Sequence, residues 1–145
     1  MFNDTSTPLS LLATRRSGKP RDLAAPGPSA AQIACRTPDH GKLAPWRFVI
    51  VAPEQRAALA TLLLDAYRAD RPEAKRLELE SIEQFAHQAP ALVVALSAPR
   101  TDSQIPLWEQ ELSAGAACMN LLHAAHAMGF AGGWLTTWAA FNDHV

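Results

Sequence analysis

The chain is poor in cysteine and has little net charge. Cys35 and Cys118 are too few for a disulfide framework and do not form a C-x-x-C pair, so a reduced, cytoplasmic setting is expected. A formal charge of -1 argues against nucleic acid or an anionic membrane surface as the partner. The N-terminal MFNDTSTP lacks the positive and apolar regions of a secretory signal. Long apolar runs are absent too: Leu112 to Phe130 is interrupted by Asn120, His123 and His126, which spoils it as a membrane span. No H-E-x-x-H, P-loop or G-x-G-x-x-G pattern occurs, and the block GFAGGW does not follow a strand as a dinucleotide loop would.

What remains is ordinary globular material, 145 residues, enough for a single domain. Thr7 and Pro8 open a short helix over TSTPLSLLATRRS. Its apolar face is expected at Leu9, Leu12 and Ala13, with Arg15 and Arg16 in the last turn. SGKPRDLAAPGPSA is a loop by its Gly and Pro content, and SAAQIAC a stunted helix. WRFVIV and ALVVALS read as strands, the first apolar enough for a sheet covered on both faces. Between them, PEQRAALATLLLDAY forms a helix with a stripe of Leu59, Leu62, Leu63 and Ala66, followed by the charged helix PEAKRLELESIEQFAHQ. The longest helix runs from about Leu107 to Met128 and stops at Gly129. Its small residues from Ser113 to Ala117 imply close packing. GGWLTTW is a loop or short strand, and FNDHV resembles a helix start capped by Asn142 or Asp143. Its abrupt end suggests a fragment.

Several residue groups could carry chemistry. Arg15, Arg16 and Ser17 can hold a phosphate, or simply form a solvated helix end. Arg36, Asp39 and His40 lie in the proline-framed loop RTPDHGKLAP, as a ligand-binding group or as turn residues. His123 and His126 share a helix face, but no further ligands accompany them for zinc. Cys118 reads as core rather than nucleophile, and Glu109 and Glu111 point in different directions, so they are not a carboxylate pair.

Taken in order, RRS at 15–17, RTPDHGKLAPWRFVIV at 36–51, PLWEQELSAGAACMNLLHAAHAMGF at 106–130 and GGW at 132–134 resemble the nitroreductase superfamily of flavin enzymes. The pattern is most like its small single-domain branch, the YdjA-like NAD(P)H nitroreductases. P-D-H-x-x-x-x-P-W-x-F followed by W-E-Q-E-x-S-A-G is the specific part. The resemblance implies an α+β fold, a mainly antiparallel sheet flanked by helices, in a homodimer with FMN at the subunit interface. Arg15, Arg16 and Ser17 would then contact the flavin phosphate and ribityl chain. Arg36 and His40 would reach it across the dimer, and Trp134, Leu135 and Thr136 would lie along it. The implied activity is ping-pong hydride transfer from NADPH or NADH through FMN to nitroaromatic or quinone-type acceptors, with no catalytic side chain and no metal. Residues 1–145 would be one domain lacking the family's C-terminal part, and the stretch from Ser17 to Arg36 is shorter than the family pattern. Two other readings stay open: a flavin-binding member without reductase turnover, and a dimerisation module of the same fold.

Overall fold

The structure, a computed structural model, describes residues 3–15 and 29–145. Arg16, Ser17 and most of the expected loop after them lie outside the described residues.

Helix α1, Pro8–Thr14, begins as expected: the Thr7 hydroxyl accepts the Ser10 N–H at 3.0 Å and Pro8 occupies the first turn. Its apolar face differs. Leu11 is buried, whereas Leu9 and Leu12 are exposed, because so short a helix covers little more than one side chain where it meets α5. The basic last turn is also corrected. The Thr14 carbonyl accepts the Asn3 N–H and the Thr14 hydroxyl accepts the Asp4 N–H. The helix therefore closes there, and Arg15 follows as its cap with an extended backbone.

Helix α2, Ser29–Ala34, is the stunted helix anticipated. Strands β1, Trp46–Val51, and β2, Leu92–Ser97, pair antiparallel, with Trp46 opposite Ser97 and Val51 opposite Leu92. Among the described residues they make a two-stranded sheet, and the expectation of cover on both faces fails. Trp46 and Phe48 pack on Ala114 and Ala117 of helix α5, Leu107–Ala127, but Val49 and Ile50 stay about half exposed. A helix supported over part of the strand cannot cover all of it.

Helices α3, Arg56–Asp70, and α4, Arg76–His87, form a hairpin between the strands. A 3-10 turn, Pro53–Gln55, precedes α3. The buried stripe of α3 is Arg56, Ala60, Leu63 and Tyr67, with Ala66 beside it. Leu62, placed in the core by the sequence, is exposed. The rotation lets Tyr67 meet Trp138 edge to face at 5.0 Å, a contact made with a 3-10 turn over Trp138–Phe141. Helix α5 ends in a double-bonded cap: Gly129 at φ +84 donates to His126 O, and Phe130 donates to Ala125 O. Residues 131–137 are irregular, so GGWLTTW is a loop rather than a strand. The helix start expected at FNDHV is not found: after the 3-10 turn the chain makes only a turn, in which the Asn142 side-chain oxygen accepts the His144 N–H at 2.8 Å.

Candidate active site

Helix α5 is the element against which the candidate residues are placed. The chain from 29 to 40 runs antiparallel along it. Ser29 lies near Met128, the Thr37 hydroxyl accepts from Asn120 Nδ2 at 2.7 Å, and His40 reaches Glu109. The small residues in the middle of α5 permit this close approach, and α2 packs on the helix through Ala30 and Ala34.

His40 occupies a tight turn. Gly41, Lys42 and Ala44 all have positive φ, at 75°, 54° and 48°. For Lys42 and Ala44 this conformation costs energy, and a loop keeps it only when its surroundings fix it. Two contacts do so. Asp39 Oδ2 accepts the Ala44 N–H at 2.9 Å. Gly41 lies so near Ile105 that a Cβ there would stand 3.3 Å from its Cγ1. Ile105 is held in turn by Gln110, which is buried and makes three bonds: Oε1 accepts from Arg100 N–H, and Nε2 donates to the Arg100 and Ile105 carbonyls. His40 Nδ1 lies 2.9 Å from Glu109 Oε2. Pro38, His40, Trp108, Glu109, Leu112 and Ser113 line an open cleft of about 420 Å³ here.

The other end of α5 carries a second group. Arg15 lies close enough to His123 for its charge to act on the ring. The Nδ1 of His123 is buried without a hydrogen-bond partner, and burial, Arg15 and His126 together lower its proton affinity. His126 is fully buried, with Nδ1 2.6 Å from the Leu122 carbonyl. Burial pushes the Cys118 thiol up, which agrees with a core role. Gly132 presses on this end: a Cβ there would lie 2.7 Å from Leu122 Cδ2. The segment leaving it carries Trp134, Leu135 and Thr136, all exposed. Among the described residues, no group of three or more His, Cys, Asp or Glu is placed to hold a metal ion.

The candidates therefore fall into two groups. Arg15 and the start of the 134–136 segment sit at the C-terminal half of α5, and His40 sits at its first turn. From Glu109 to His123 is about 21 Å along an α-helix. Arg36, exposed, stands between them beside Thr37. Sequence reasoning missed Glu109 and Gln110 as supports of the His40 loop, because their partners are distant in the chain.

Comparison with known proteins gives the family. The model of the Nitroreductase family matches residues 29–145. The chain belongs to the nitroreductase family. A "Putative NAD(P)H nitroreductase" of Haemophilus influenzae is 40% identical to this family member over 136 residues, 88% of this chain and 71% of the relative. The "Putative NAD(P)H nitroreductase YdjA" of Escherichia coli K12 is 33% identical over 132 residues, 87% and 70% of the two chains. The crystal structure of a nitroreductase-like family protein from Bacillus cereus superposes with a TM-score of 0.76. It covers 96% of this chain and 74% of that one at 19% identity, a likeness of fold. Membership carries a general oxidoreductase role. Among the described residues no helix is long and apolar enough to cross a membrane.

Proposed function

We propose that the chain is an FMN-dependent NAD(P)H oxidoreductase that reduces nitroaromatic or quinone-type acceptors as a cytoplasmic homodimer. The observation that carries this reading is the family match over residues 29–145. The donor set suits a flavin. Arg15, with Arg16 and Ser17, offers charge-assisted bonds to a phosphate. Exposed Trp134 and Leu135 offer apolar surface to a planar ring, and Thr136 a hydroxyl. Arg36 and His40 supply further polar contacts from the neighbouring subunit. The wide separation of His40 from Arg15 supports a site shared between two copies.

FMN, when bound, would supply the hydride chemistry between NADPH or NADH and the acceptor. The chain's own task is to bind and orient. Its proline-framed loop and the Gly132 contact hold the polar and aromatic groups on rigid backbone, as cofactor binding requires.

The test is the visible spectrum of the purified protein with FMN, before and after anaerobic addition of NADPH or NADH. A protein-bound flavin band that bleaches is the expected result. A bound flavin that neither donor bleaches would favour the binding-only reading, and a protein that takes up no flavin would overturn both.

A further inference from the structure

His40 and Glu109 are 69 positions apart in sequence, yet they meet at 2.9 Å. A carboxylate can only accept, so the proton in this bond belongs to Nδ1 of the ring. The two side chains are anchored differently. Glu109 stands in the first turn of α5, next to Gln110, whose three buried bonds fix that turn to the 100–105 loop. His40 stands on the turn closed by Asp39 and packed under Ile105. Asp39, the carboxylate adjacent in sequence, is already engaged with the Ala44 N–H, which leaves Glu109 to orient the ring. An imidazole at 64% side-chain exposure has little packing to set its rotamer, so the hydrogen bond is the constraint that does.

We propose that Glu109 is the positioning residue for His40: it holds the ring in the Nδ1–H form and leaves the Nε2 lone pair for a donor group of the bound flavin. This rests on the flavin reading above and deepens it. Glu109 itself touches no ligand in this scheme. It acts through His40, as a carboxylate behind a metal-bound histidine does. The arrangement also gives a physical reason for the E-Q pair within WEQE: Glu109 sets the ring, and Gln110 sets the backbone that carries Ile105 beneath the loop.

The experiment has two arms on the full chain. In the first, without flavin, histidine ring nitrogens are observed by 15N NMR at a pH high enough that the His40 signals have stopped moving. Wild type is expected to show the Nδ1–H form. Glu109→Ala should return His40 to the mixture of an unrestrained imidazole, and Glu109→Gln, which keeps an accepting oxygen, should retain the wild-type form. In the second, FMN binding is followed by flavin fluorescence. Glu109→Ala should weaken it about tenfold, the scale of one hydrogen bond to a charged group. Glu109→Gln should lose much less, and Glu109→Ala should have no further effect in a His40→Ala background. An unchanged ring form in Glu109→Ala overturns the proposal, as does a loss that simply adds to that of His40→Ala. Should wild type take up no FMN, the flavin reading fails, and the first arm still decides whether Glu109 sets the ring.

Discussion

His123 holds a buried ring nitrogen without a hydrogen-bond partner, next to the charge of Arg15 and the ring of His126. Burial first, then Arg15 and then His126, pull its proton affinity below the ordinary 6.5. The sign of the linkage follows. Above 6.5 the ring is neutral in both folded and unfolded chains and contributes no slope. As the pH falls below that value, the unfolded chain takes up a proton that the folded one refuses. Stability therefore declines until the lower folded value is reached. Urea midpoints should fall more between pH 7.5 and 5.5 in wild type than in His123→Gln, and equal slopes would remove His123 as the cause. In the proposed flavin site, Arg15 is the phosphate contact to test. Arg15→Ala should weaken FMN binding by about 1.5–3 kcal/mol, the worth of a charge-assisted bond, and unchanged affinity would take Arg15 out of the site. Arg15 and His40 stand out as candidates in the sequence because they sit in compact local motifs. Glu109 was not, since nothing near it in the sequence indicates a partner in the 36–45 loop.

At the scale of elements, Arg56 shows how a charged residue can be part of the core. It is 5% exposed and donates from Nε to the Val51 carbonyl at 3.1 Å and from Nη1 to the Ala86 carbonyl at 2.7 Å. One side chain thus joins the end of β1 to the last turn of α4, and burial lowers its proton affinity without a paired carboxylate as cause. Arg56→Met would preserve most of the apolar stem but leave both carbonyls without this donor. We expect a loss of about 2 kcal/mol in urea unfolding, with Arg56→Lys intermediate because an ammonium on a flexible stem lacks the planar fork. A Met variant as stable as wild type would show that the two bonds contribute nothing net. The helices and strands themselves were readable from Pro8, Pro53, Pro90, Gly129 and the apolar runs between them. The facing of α3 was not. Its stripe turns toward Tyr67 because Trp138 packs there, and Trp138 is also tied to Asp70 by its indole N–H at 2.9 Å. A local pattern of leucines cannot report a partner that arrives from so far downstream.

For the whole molecule, the distribution of uncovered apolar surface bears on assembly. Trp108 and Leu112 are 60% and 66% exposed one turn apart on α5, and Ala116 continues the same line. Leu9 and Leu12 on α1 and Ile33 on α2 are exposed as well. Apolar side chains grouped on the helix that carries both candidate clusters call for a partner surface, and a two-fold arrangement uses one patch twice. Such an arrangement would also bring the His40 end of one α5 toward the Arg15 end of another, which a single copy keeps about 21 Å apart. Assembly and flavin binding should then fail together. Wild type should sediment as a dimer. Leu112→Glu should place a charge in the centre of the contact and give a monomer whose FMN affinity is lower by at least the loss seen for Arg15→Ala. Sedimentation velocity with and without FMN reads both effects in one experiment. A Leu112→Glu variant that remains dimeric would move the interface off this face of α5. A monomer that binds flavin as tightly as wild type would mean that each copy completes its own site, and His40 would then have no flavin to reach.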